Sequence, residues 1–108
     1  MASKPLLKKK ILNLLETAVQ GGLSETRRTC GNKKCLCHTD PDKRHGPNLY
    51  LTFRTSDDRS SGLYIPREHE KDVRRAVKAW ADLREAVATY AALNREEFRR
   101  EMRRHPAQ

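Results

Sequence analysis

The chain predicts an α+β fold, with an N-terminal helix, a small antiparallel β-sheet interrupted by a long polar loop, and a long C-terminal helix. Three patterns point to it. Apolar residues recur at three- and four-residue steps near both ends, alternate one by one in the middle, and give way over residues 30–46 to a stretch crowded with Cys, Gly, Asn, Asp and Pro.

In the first helix, predicted over residues 5–20, Leu7, Ile11, Leu14, Leu15 and Ala18 share one face. Pro5 suits its start, where a missing N–H leaves no bond unmade, and Gly21-Gly22 suits its end. Lys8, Lys9 and Lys10 surround the stripe, but the aromatic anchors of a membrane-surface helix are missing, so the apolar face is read as packing inward. Leu23 to Thr29 reads as a short edge strand that delivers the chain to Cys30.

After Pro47 the segment NLYLTFR alternates, placing Leu49, Leu51 and Phe53 on one face and Tyr50, Thr52 and Arg54 on the other. TSDDRSSG turns the chain, and LYIP resumes the pattern with Leu63 and Ile65 inward. The result is an antiparallel hairpin over residues 48–66, stopped by Pro66. Val73, Val77, Trp80, Leu83, Val87 and Tyr90 then fall at steps of four and three, the spacing of an amphipathic helix or a short coiled-coil seam. This helix is predicted over residues 67–103, with a kink or break near Asn94. The expected core is Leu7, Ile11, Leu14, Leu51, Phe53, Ile65, Val77 and Trp80.

A chain of 108 residues, 36% hydrophobic and 34% charged, is expected to form a single small domain over residues 1–108 whose core needs help from another source of order. Its formal charge of +9 attracts polyanions, because each phosphate it neutralises releases condensed counterions. Nucleic acid is therefore the leading partner class, with DNA placed ahead of RNA. No apolar run reaches membrane-spanning length, and lysines interrupt the first apolar segment where a secretory signal would be continuous. The chain is expected to be cytoplasmic and free of the membrane.

Three cysteines within eight positions cannot all pair with one another, and a reducing compartment disfavours disulfides. Metal ligation accounts for them better. Cys30, Cys35 and Cys37, spaced C-x4-C-x-C, supply three thiolates of a structural zinc knuckle, with Gly31 and Asn32 suited to the turn between them. The fourth ligand is His38 or His45. His45 is favoured, because His38 is adjacent to Cys37 and consecutive side chains diverge, whereas His45 can fold back ahead of Gly46-Pro47. Asp40 and Asp42, beside Pro41, read as turn residues. With no carboxylate cluster for two-metal chemistry and no nucleophile beside a base, a non-catalytic role is expected.

The run CGNKKCLCHTDPDKRHGPNLYL, followed by LYIPRE and a charged helix, resembles an uncharacterised family of small bacterial proteins. That family is marked by CG-x3-C-x-C, then HGP with an aromatic-rich strand, then YIP, and is often met near transposase genes. The resemblance spans roughly Leu23 to Leu93. It implies Cys30, Cys35, Cys37 and His45 as the metal positions, together with mobile-element surroundings. The strand after HGP departs from the family in carrying fewer tyrosines.

Arg27, Arg28, Lys33, Lys34, Lys43 and Arg44 lie in or beside the proposed zinc loop and form the expected nucleic-acid contact, with Tyr50 and Arg54 on the following strand. Tyr50 and Tyr64 point away from the Leu/Phe face, a pair of rings that could stack on unpaired bases or pack under a helix, and core or helix packing is the expected fate of at least one. The leading expectation is a DNA-binding accessory or regulatory protein of a mobile element. A second is an adaptor that engages a larger recombinase- or transposase-type enzyme through the long helix. The same seam invites homodimerisation.

Overall fold

The computed structural model of the chain describes residues 3–105. In order they form α1 (Lys4–Leu15), β1 (Gly22–Arg28), β2 (His45–Arg54), β3 (Ser60–Ile65) and α2 (Glu70–Arg104). Short 3-10 turns occur at Leu36–His38, Pro41–Lys43 and Arg67–His69. This is the predicted α+β arrangement. Contacts group the described residues into two compact units, 20–77 on the one hand and 3–19 with 78–105 on the other.

In the first unit the sheet has the order β1-β2-β3, antiparallel throughout. The alternation read from NLYLTFR is the observed one. Leu49 pairs with Ile65 and Leu51 with Leu63 on the inner face, while Tyr50 pairs with Tyr64 on the outer. Leu49, Leu51 and Ile65 are buried, and Leu23, Phe53, Val73 and Val77 pack against them. Three such side chains stabilise the unit by roughly 1.5–3 kcal/mol each, which leaves little to hold distant loops in place. Two inward-facing side chains are less buried than their neighbours. Leu63 faces inward but stays 54% exposed, because β3 is an edge strand and gives it a strand neighbour on one side only. Phe53 is half-buried, since its cross-strand partner is Ser61, which offers no apolar surface.

The ladder between β1 and β2 is regular from Gly22 to Thr26 and then shifts, so that Arg28 faces His45. Pro47 falls in this irregularity, where its missing N–H interrupts no ladder bond. Gly46 is required there. Its φ is +123°, and a Cβ would lie 2.7 Å from the Thr26 carbonyl oxygen.

In the second unit, α1 opens from an extended Ser3, whose carbonyl accepts the Leu7 N–H at 2.9 Å, with Pro5 in the first turn. It ends at Leu15 and does not run to residue 20. The β-branched Thr17 and Val19 disfavour a further turn. Leu7 is buried, Ile11 and Leu14 are half-buried, and Leu15 is exposed. From Lys78, α2 buries Leu83, which lies on the predicted line, and Ala79 and Ala86, each one residue off it, with Trp80 half-buried and Val87 exposed. Lys4 joins the two helices of this unit. Its Nζ lies 3.0 Å from Glu97 Oε2 and 5.3 Å from the centre of the Tyr90 ring. No break occurs at Asn94, and α2 is continuous to Arg104.

Candidate metal centre

The loop between β1 and β2 has almost no apolar interior. Among residues 29–44 only Cys37 is buried. Its order comes from local hydrogen bonds. The Asn32 side chain accepts the Lys34 N–H at 3.0 Å, and the Asn32 carbonyl accepts the Cys35 N–H at 3.0 Å, which closes the first turn. The Asp40 side chain accepts the Asp42 N–H at 3.0 Å and opens the Pro41–Lys43 turn, the role that Asp40 beside a proline suggests.

These turns bring four side chains together. The ligating atoms of Cys30, Cys35, Cys37 and His45 all lie within 4.8 Å of one another. The Cys37 and Cys30 sulfurs are 3.6 Å apart, and Cys35 Sγ is 3.5 Å from His45 Nε2. A metal–sulfur bond of about 2.3 Å in a tetrahedral site requires sulfurs about 3.8 Å apart, so these separations are those of a tetrahedron's edges. The donor set, three thiols and an imidazole, is a complete structural set for a borderline-soft ion. The four residues could hold a metal ion.

Backbone amides prepare the sulfurs. The Cys30 N–H donates to Cys37 Sγ at 3.3 Å, and the Cys37 N–H bonds Cys35 Sγ. That amide, followed by the His45 ring and the two neighbouring cysteines, lowers the Cys35 pKa from its ordinary value to about 6. Burial has the opposite effect on Cys37 and pushes its thiol up. The cluster thus pairs one thiol that ionises readily with one that holds its proton more tightly.

His38 lies outside the cluster. Its Nε2 is 2.8 Å from the Cys30 carbonyl oxygen, so the ring braces the backbone that carries the first cysteine. Sequence reasoning weighed His38 only as a ligand, and this bracing role leaves no signature in spacing. His45 reaches the cluster through the sheet. Its pairing with Arg28 places the start of β2 beside the end of β1, two residues from Cys30.

The basic residues separate into two places. Arg27 and Arg28 end β1, Lys33 and Lys34 sit between the first two cysteines, and Lys43 and Arg44 precede His45. All six are exposed, and among the described residues none makes an ion pair. Arg54 stands apart at the other end of β2, paired with Asp58 at 2.8 Å. Tyr50 lies on the outer face of β2, half-buried, with the Arg28 guanidinium 5.5 Å from its ring centre. Among the described residues no helix is long and apolar enough to cross a membrane.

Fold and site together define a small α+β protein built around a Cys3His cluster able to hold a metal ion. The chain belongs to the family described as Domain of unknown function (DUF6788), whose family model matches residues 4–75. The match takes in α1, the sheet, the whole cluster and the first turns of α2. It ends before Trp80. No curated protein and no solved structure matches the chain.

Proposed function

We propose that the chain is a non-catalytic zinc-binding module that holds nucleic acid, DNA ahead of RNA, through its phosphates. The observation that carries this reading is the convergence of Cys30, Cys35, Cys37 and His45 within 4.8 Å, with six cations in or beside the loop that make no ion pair among the described residues. Zinc in this set would cross-link a loop that has no core of its own, with no position left for a reactant. The charges then stand on an ordered frame, where phosphate contact loses less side-chain and loop entropy than on a floppy one. Such contacts give salt-dependent affinity without base sequence preference. An accessory or regulatory role in a mobile element, in the cytoplasm, is the context proposed for it.

Two measurements test this. Elemental analysis of protein purified without chelator should find one zinc per chain, lost in Cys35→Ser and His45→Ala. Binding to a labelled DNA should weaken steeply with salt, and Lys33→Gln with Lys34→Gln should reduce that slope by about one per phosphate contact removed. A folded wild type without bound metal would overturn the zinc assignment.

A second reading has an observation of its own. In the helical unit Val87, Phe98 and Met102 are exposed at helical spacing, and Ile11, Leu15, Trp80 and Ala91 line a groove beside Val87. An apolar surface of this kind suits an adaptor for a larger enzyme or a homodimer. Pull-down that survives nuclease treatment would favour it.

A further inference from the structure

The outer face of the sheet carries a feature that phosphate binding does not use. Tyr50 and Tyr64 are cross-strand partners, with ring centres 5.7 Å apart and planes inclined at 62°. The strand after HGP supplies one tyrosine, and the second comes from the neighbouring strand. Tyr64 is 52% exposed. The positions beside the pair are small: Ser24 faces Tyr50 across β1, and Gly22, Thr52 and Gly62 form the next rung. At Gly62 a Cβ would meet nothing within 4 Å. Open space therefore lies along the rings on the hairpin side, and the Arg28 guanidinium lies against Tyr50 on the cluster side.

We propose that this face is a stacking platform for unpaired bases, so that the nucleic acid bound by this chain is single-stranded. The proposal rests on the phosphate-binding reading above and names its substrate class. Charge and aromatic surface adjoin in the right order. Arg28 joins the rings to the cations of the loop, and Tyr50 is five residues along β2 from His45, a span of about 17 Å at the rise of a strand. A single strand can lay its phosphates over Arg28 and the loop while its next bases turn onto the tyrosines. In a duplex the base faces are already stacked and offer nothing to a ring on a flat sheet.

The test uses the full zinc-loaded chain and a fluorescent oligothymidine of about 12 nucleotides, within the site sizes of small single-strand binders. A duplex of the same length serves as comparison. Tyr64→Leu keeps an apolar cross-strand contact but removes the π-face, and Tyr64→Phe keeps both. The expected result is a loss of roughly tenfold in oligothymidine affinity for Tyr64→Leu, near-wild-type affinity for Tyr64→Phe, and unchanged duplex affinity for both. On the wild type itself, the Tyr50 and Tyr64 ring-proton resonances should move upfield on adding the oligothymidine. Wild-type affinity in Tyr64→Leu, or unmoved ring protons in a bound complex, overturns the platform while leaving phosphate binding intact. Failure of the wild type to bind either nucleic acid at low salt removes both.

Discussion

Between Cys30 and Arg44 only Cys37 is buried, whereas α2 beyond Lys78 buries Ala79, Leu83 and Ala86. The helices of that unit order themselves in the ordinary way, by removing an apolar stripe from water and adding ion pairs such as Lys4–Glu97. The cluster loop has no stripe to remove. It folds onto backbone-to-sulfur and Asx hydrogen bonds, and each such bond contributes only about 0.5–1.5 kcal/mol net. On the zinc-binding proposal one region is stabilised by area and the other by ligation, and the two should fail under different insults.

The largest expected effect comes from Cys37→Ser. Apparent binding free energies of structural zinc run to about 10–16 kcal/mol at neutral pH, so losing the buried thiolate should abolish metal binding and leave the loop unordered. Zinc content should drop to zero while the helical circular-dichroism signal of α1 and α2 persists. If helicity fell with the metal, the two regions would not be independent in the way their interiors suggest. Next is Leu49→Ala, which empties the centre of the sheet core and should cost about 2–5 kcal/mol in urea unfolding. A cost near zero would show that the sheet, too, is held by the metal. Smaller again is Gly46→Ala, at about 1–3 kcal/mol for a strained φ with a Cβ against the Thr26 carbonyl, accompanied by weaker zinc affinity because His45 is its neighbour. Gly31→Ala is its control, since a Cβ there meets nothing within 4 Å. Equal effects at the two glycines would break the argument that the bulge positions His45. The smallest is Lys4→Met, which removes an exposed ion pair from the helical region and should shift stability by less than about 1 kcal/mol.

How far the sequence disclosed these regions follows from the same difference. Alternation in NLYLTFR specified the face and register of the hairpin, because a one-residue slip would turn Leu49 and Leu51 outward. The cluster was legible because three cysteines and a histidine at short spacing have few other uses. The helical region was harder to read. Ala79 and Ala86 carry too little apolar surface to mark a stripe, so the pattern led to their larger neighbours Trp80 and Val87. Asn94 looked like a cap, but the helix continues through it, since one residue of low propensity costs less than ending a long helix and starting another. His38 and Leu63 could not be placed from sequence. The position of one depends on a backbone carbonyl that the fold brings near, and the exposure of the other on which strand lies at the edge.

The facing of Arg28 and His45 across the first two strands also sets how tolerant the loop is. Because the sheet ladder already holds both ends of the loop, closing it is not left to the ion. A metal arriving at the folded sheet would find Cys30 and His45 beside ladder residues and Cys35 and Cys37 brought up to them by the loop's own turns. Segments inserted between Cys37 and His45 then add only a slowly growing closure entropy, about 0.6 kcal/mol for each doubling of loop length. The ladder would let the cluster accept variation in the chain between its four side chains while the strands keep its two ends in register.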